Sequence, residues 1–106
     1  MEKSVKIVVF VPTSHADVVR QAMGEAGAGR IGNYTHCTYS TTGFGRFLPQ
    51  EGANPAVGAI GQLEVVDEER IETVCDMELV EKVAEAIRAV HPYEEVPIDV
   101  YQIHLV

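Results

Sequence analysis

The stretch His91-Pro92-Tyr93-Glu94-Glu95-Val96-Pro97 lies near the end of this 106-residue chain and decides how its last two elements meet. Before it, apolar residues at helical spacing predict an amphipathic helix that ends at Val90. After it, residues 98–106 alternate in polarity and predict a final strand. Pro92 stops the helix, so this segment, called the corner below, directs the last strand back along the sheet.

The first half of the chain predicts a strand, a helix and a second strand. Residues 4–11 form a continuous β-branched run typical of a buried strand. A weak capping pattern at Ser14 opens a helix that Gly27 and Gly29 end. Residues 34–42 alternate and predict a strand with Tyr34, His36, Thr38 and Ser40 on one face. Residues 44–48 are either its continuation or a short return strand.

The second half predicts a loop, extended chain and a second helix. Residues 49–61 are rich in Gly and Pro and form a loop long enough for a functional role or a clamp on a neighbouring subunit. Residues 63–66 and 70–75 look extended, and Asp67-Glu68-Glu69 is either a turn between two strands or part of one long strand. Asp76 is a suitable N-cap for the second helix.

The order of elements predicts an α+β fold: a ferredoxin-like βαββαβ sandwich with two helices on one face of an antiparallel sheet. Its length predicts one domain, residues 1–106. The first strand places Val5, Ile7, Val9 and Val11 on one face and the apolar Val8 and Phe10 on the other. An apolar second face needs cover, so we expect self-association through the sheet.

The net charge of the chain limits the classes of partner that it is expected to bind. Sixteen acidic residues stand against eight basic ones, for a net charge of −8. Such a surface disfavours nucleic acid and anionic membranes and attracts cations or metals. No apolar run approaches the ~20 residues of a membrane span. Cys37 and Cys75 are expected to be reduced thiols, which together with the absence of a signal peptide predicts a cytoplasmic protein.

Three segments carry a resemblance to a known family. Gly29-Arg30-Ile31-Gly32-Asn33-Tyr34, Gly52-Ala53-Asn54-Pro55 and His91-Pro92-Tyr93-Glu94-Glu95 occur in this order and spacing. Together they resemble the YqfO-type domain of NGG-interacting-factor-like proteins. The resemblance covers residues 5–102 and implies a fold similar to CutA and PII signalling proteins, which form trimers. The dinuclear metal site of the larger relatives lies mainly in a flanking domain, so that chemistry is not carried over.

Residues 27–32 match G-x-G-x-x-G, but in the wrong order for a dinucleotide. That fingerprint needs a strand before it and a helix after it, so that a helix N-terminus meets the phosphates. Here a helix precedes and a strand follows. The glycines therefore indicate a helix end and a tight turn, or a nest in which backbone N–H groups and Arg30 hold an anion.

Two interpretations of the corner stay open. His91 at a helix end interacts favourably with the dipole, which is a sufficient structural role. Alternatively His36, His91 and Glu95 hold zinc or copper, which accept imidazole and carboxylate ligands. His36 and Cys37 are neighbours in a predicted strand and face opposite sides, so no nucleophile–base pair indicates an enzyme.

The sequence thus predicts a small cytoplasmic homo-oligomer, with a trimer favoured, that binds or senses a small ligand in a cleft between subunits. The alternatives are a divalent-metal-binding protein and a purely structural module for a protein partner. The predicted ligand site comprises Arg30, Asn33, His36, Glu51, Asn54, His91, Tyr93, Glu94 and Glu95.

Overall fold

The computed structural model describes residues 3–106, which form four strands and two α-helices. Single 3₁₀ turns, Thr13–His15 and Met77–Leu79, lead into the two helices. In chain order the elements are β1 Ser4–Pro12, α1 Ala16–Glu25, β2 Tyr39–Phe47, β3 Glu64–Asp76, α2 Val80–Val90 and β4 Ile98–Gln102.

The four strands form one antiparallel sheet in the order β2-β3-β1-β4. β1 is central, with Val9 opposite Ile71 of β3 on one side and Ile98 of β4 on the other. This order and direction confirm the predicted ferredoxin-like βαββαβ fold.

A single apolar core lies between the sheet and the two helices. The predicted inward set of β1 is fully buried, and the stripes of both helices pack on it; its members include Val5, Ile7, Val9, Val11, Val19, Met23, Ile71, Val83 and Ile87. Burial of side chains of this size contributes roughly 1.5–3 kcal/mol each. The core therefore holds the sheet and helices in one unit.

The second face of the sheet is more polar than the sequence suggested. The two apolar residues that β1 places there are Val8, which is buried, and Phe10, which is half-exposed. Beside them, however, Lys6 and Arg70 both approach the Glu72 carboxylate, at 3.4 and 3.5 Å. The expectation of an apolar second face thus holds for β1 but not for β3, whose alternate residues are charged.

The segment before β2 is irregular, so the predicted strand at residues 34–42 begins five residues too early. Ile31 and Tyr34 close a tight turn through two backbone hydrogen bonds of 2.9 Å, and His36 has a positive φ of 61°. The expected common face of Tyr34, His36, Thr38 and Ser40 is therefore wrong. Residues 44–47 continue β2 rather than returning.

β3 is one long strand, with Asp67, Glu68 and Glu69 inside it. β1 stops at Pro12, opposite Glu68, where a proline has no N–H to continue a ladder. β2 and β3 extend past that point as a paired hairpin arm, residues 44–47 with 64–67. β4 ends at Gln102, four residues short of the prediction.

α1 ends at a glycine, and neither helix begins with a side-chain cap. After α1 the Gly27 N–H meets the Gly24 carbonyl and the Ala28 N–H meets the Met23 carbonyl, with Gly27 at φ 110°. This is a Schellman ending, as the glycines predicted. Asp76 precedes its 3₁₀ turn without a side-chain capping bond, so the expected cap is not formed.

Arg20 ties α1 to the sheet in a way that the sequence did not indicate. Its guanidinium donates to Glu69 at 2.5 Å, to Asp17 at 2.6 Å and to the Ser40 hydroxyl at 2.9 Å. The hydrogen bonds to Glu69 and Asp17 raise the pKa of Arg20.

No helix within residues 3–106 is long and apolar enough to cross a membrane.

Candidate functional site

His91 fixes the start of the corner to the central strand. It is 7% exposed, and its Nε2 donates to the Phe10 carbonyl at 2.8 Å while its Nδ1 accepts the Tyr93 N–H at 3.1 Å. Nε2 therefore carries the proton, and both ring nitrogens are occupied. Burial lowers the pKa of His91, and the Phe10 hydrogen bond and the nearby Glu68 charge oppose this only in part.

Tyr93 connects the corner to a buried carboxylate on β3. Its hydroxyl donates to Glu68 Oε2 at 2.7 Å, and Glu68 is only 8% exposed. Its ring meets Phe47 edge-on at a centroid distance of 5.6 Å. Burial and the bond to Glu68 raise the pKa of Tyr93, so the phenol stays protonated as a donor.

Glu94 holds the long loop between β2 and β3 against the corner. Both of its carboxylate oxygens accept the Asn54 backbone N–H, at 3.0 and 3.1 Å. The loop is closed on itself by the Gly61 N–H, which donates to the Pro49 carbonyl at 2.8 Å. The prediction of a loop at residues 49–61 is correct. Asn54, near its middle, is anchored to Glu94, which lies 40 residues later in the sequence.

An apolar groove of about 620 Å³ lies between the hairpin arm, the loop and the corner. Its walls include Phe10, Phe44, Phe47, Pro55 and Tyr93. Polar groups are few, and Glu68, Glu94, Glu95 and Arg46 supply the charges. The volume and the apolar lining with a few placed polar groups are typical of a small-molecule site.

The structure brings six of the nine predicted site residues together. Tyr93, Glu94 and Glu95 line the groove, Asn54 is bound to Glu94, and the exposed Glu51 lies in the same loop. His91 lies behind Tyr93, with the two rings 5.0 Å apart. These residues form the candidate site of a single chain.

The remaining three, Arg30, Asn33 and His36, lie toward the opposite end of the sheet. Their segment is fixed to β3 through Thr73, whose hydroxyl donates to the Cys37 carbonyl at 2.6 Å. Thr73 and Glu68 are five residues apart on one strand, or about 17 Å. The predicted joint site therefore stays a prediction about two neighbouring subunits.

The metal hypothesis gains no support from one chain. Among residues 3–106 no three His, Cys, Asp or Glu side chains cluster as metal ligands would. His36 lies over the helix position of Gly24, where an added Cβ would overlap its ring. A site of His36, His91 and Glu95 would need two subunits and would have to break a hydrogen bond of His91.

Three residues that line the groove were not among the predicted site residues: Phe10, Phe47 and Glu68. Glu68 stood between two other acidic residues and looked solvated, because the charge triplet hides which member turns inward. If β3 is treated as one strand, Glu68 falls opposite Pro12, where β1 ends, and this position marks it out from its acidic neighbours. A buried acidic residue inside a strand, opposite the point where the neighbouring strand ends, then indicates a site.

His91 predicts a pH dependence of stability. Its folded pKa is below the ordinary value of 6.5, so the unfolded chain binds more protons in that window. The free energy of unfolding is therefore expected to fall as pH decreases from 6.5 through the folded pKa, and this contribution is constant above 6.5. Urea titrations by circular dichroism at several pH values measure it. In His91→Gln this part of the slope should vanish; an unchanged slope would assign it to other groups.

Comparison with known proteins finds relatives of this chain. No protein-family model matches the chain. It is 50% identical over 100 residues to a GTP cyclohydrolase 1 type 2 homolog of Halalkalibacterium halodurans and 46% identical over 98 residues to that of Bacillus subtilis. These matches cover 94% and 92% of the chain but 27% and 26% of the relatives. The chain thus spans about a quarter of the length of the curated relatives it matches.

Solved structures extend the likeness. A Bacillus cereus protein related to NIF3 is 54% identical, with a TM-score of 0.83, and 96% of the chain matches 26% of it. CutA of Archaeoglobus fulgidus has a TM-score of 0.71 at 17% identity, with 97% of the chain and 86% of CutA covered. GlnK of B. subtilis, solved with ATP, has a TM-score of 0.64 at 18% identity, with 97% and 84% covered. The predicted resemblances to YqfO-type proteins and to the CutA/PII fold are confirmed.

Proposed function

We propose that this chain is a small CutA/PII-like binding module that takes a small ligand in the groove between the corner and the loop. The groove itself carries the proposal. It has the volume of a small-molecule site, and its two walls are connected by the Glu94–Asn54 contact. A ligand that contacts both walls would stabilise that contact, which gives the module a means of response.

Binding fits the lining better than catalysis does. Among the described residues, those that line the groove include no Ser, Cys, His or Lys. Tyr93 is held protonated by burial and by Glu68, and His91 lies behind it with both nitrogens occupied. Activated nucleophiles and free bases are the usual means of covalent or acid–base chemistry. The groups present can orient a ligand by charge and hydrogen bonding.

The proposal includes self-association, with a trimer favoured, in the cytoplasm. Large apolar side chains are exposed on the hairpin arm and its loop: Phe44 (72%), Leu63 (61%), Leu48 (48%), Ile60 (48%) and Val65 (46%). Such a cluster on one projecting arm is typical of an interface. The free thiols of Cys37 and Cys75 fit a reducing compartment. Light scattering after size exclusion tests the mass, and a monomer at all concentrations would remove this part.

A thermal-shift panel tests the binding function. The purified chain is heated with divalent metals, adenine nucleotides or organic amines, each with and without chelator. A ligand at 100 times its Kd adds about 2.7 kcal/mol, which is a shift of several degrees for a domain of this size. We expect one class to shift the melting temperature selectively. A shift by metals alone that chelator abolishes would favour the metal-binding alternative, and a flat panel would contradict the proposal.

A further inference from the structure

We propose that the groove binds a small organic cation, an ammonium or guanidinium group on an apolar body, with Glu68 as its counter-ion. This inference rests on the proposed function, because it names the ligand class for the same groove. It follows from the position of one buried carboxylate and from the rings around it.

Glu68 presents a carboxylate oxygen to the groove from a nearly buried position. The residue is 8% exposed, and its Oε2 is held by the Tyr93 hydroxyl at 2.7 Å. The other oxygen, Oε1, accepts no hydrogen bond from the described residues, and it is not sealed off from solvent. Glu68 lines the groove together with Gly45, beside which Oε1 lies, so a donor that enters there would complete the hydrogen bonding of this oxygen.

Gly45 makes this position of the carboxylate possible. A Cβ built on Gly45 would overlap both carboxylate oxygens and the carboxyl carbon of Glu68. The missing side chain at Gly45 leaves a space on β2 beside β3, and the Glu68 carboxylate occupies that space. Because a buried charge without an ion-pair partner is costly, an arrangement that holds one at a cavity wall indicates a ligand of opposite charge.

Aromatic rings surround the same space. Phe10, Phe44, Phe47 and Tyr93 all line the groove with Glu68. Ring faces attract an ammonium or guanidinium within about 6 Å of their centres, most strongly when water is excluded. Rings together with one carboxylate therefore suit a cation attached to an apolar group, and they disfavour an anion.

The charge balance of the groove points the same way. Its lining carries three carboxylates, Glu68, Glu94 and Glu95, and one guanidinium, Arg46. Glu94 is engaged with the loop, and Arg46 is exposed without an ion pair among the described residues. With a net charge of −8 for the whole chain, long-range attraction also favours a cation.

Three probes with the same ring test the proposal: 2-phenylethylammonium, the neutral 2-phenylethanol and the anionic phenylacetate. Each is titrated into the ¹⁵N-labelled chain at pH 7 and followed by amide chemical shifts. We expect the ammonium to shift the amides of Gly45, Glu68 and Tyr93 and to bind at least tenfold more tightly than the alcohol. Phenylacetate should leave these amides unchanged.

Glu68→Gln keeps an acceptor for Tyr93 and removes the charge, so it should lose the preference for the ammonium. Glu85→Gln, exposed on α2, makes the same change in net charge elsewhere and should keep the preference. Equal binding of the three probes to wild type would overturn the cation assignment and leave the groove as a ligand site. No shift with the ammonium would also overturn it, while the thermal-shift panel decides the proposed function separately. The wild-type comparison needs no variant to fold.

Discussion

Replacing His91 with alanine is expected to lower the free energy of unfolding by about 2–4 kcal/mol. The change leaves the Phe10 carbonyl and the Tyr93 N–H without their partners in a buried place, and each unpaired group costs roughly 1–3 kcal/mol. The melting temperature should fall by ~10 °C or more. Urea unfolding followed by circular dichroism measures the change, since the chain has no tryptophan.

Arg88→Ala is the matched control, because it removes a basic side chain from the last turn of the same helix. Arg88 is exposed and donates to the Val96 carbonyl at 3.2 Å. We expect a loss within ~1 kcal/mol for this exposed contact. If both variants lost the same small amount, His91 would act only through the helix dipole, and the corner would not depend on its buried hydrogen bonds.

Replacing Gly29 with alanine, in a separate variant, is expected to lower the free energy of unfolding by ~2–4 kcal/mol. This site is independent of the corner. Gly29 has a φ of 80°, and an added Cβ would lie 2.5 Å from the Cys37 carbonyl oxygen and 2.6 Å from its nitrogen. The Cys37 N–H donates to the Gly29 carbonyl and the Cys37 carbonyl accepts the Thr73 hydroxyl, so neither atom can move aside without breaking a hydrogen bond. The same urea titration gives the loss.

Gly32→Ala separates the two causes of that loss. Gly32 has a φ of 56°, yet nothing lies within 4 Å of an added Cβ. It should therefore show only the conformational cost, roughly 1–2 kcal/mol. Equal losses at the two positions would mean that close packing at Gly29 contributes nothing, which would contradict the structure of this turn.

The fold could be predicted because its signals are local and repeated. The β-branched run of β1, the apolar stripes of both helices and the Gly27 ending each specify an element, and their order leaves one sandwich. The start of β2 could not be predicted from alternation. Residues 34–38 alternate as a strand does, but the turn closed by Ile31 and Tyr34 and the positive φ of His36 take the chain out of the sheet.

The candidate site could be predicted where its residues stood in the corner or in the long loop, which supplied Glu51 and Asn54. Tyr93, Glu94 and Glu95 stood together in the corner, and all three line the groove. Glu68 and Phe10 come from strands that meet only after folding, so no spacing could reveal them. Asn54 and Glu94 were predicted to share the site, but the hydrogen bond that joins them across 40 residues could not be inferred from spacing.

The corner combines the two roles that the sequence left open. His91 is structural, since both of its nitrogens hold backbone groups. Tyr93 has one structural partner in Glu68 but also presents its ring to the groove. A buried network that fixes a cavity wall is the arrangement expected of a preorganised binding site.

The most direct test of the groove as the ligand site is the thermal-shift panel run on wild type beside Ala56→Trp. Ala56 is an exposed loop residue that lines the groove, so the indole should fill the space without disturbing the core. A ligand that stabilises wild type by several degrees is expected to leave the variant's melting temperature unchanged. An equal shift in both proteins would place the ligand outside the groove and contradict the proposed site.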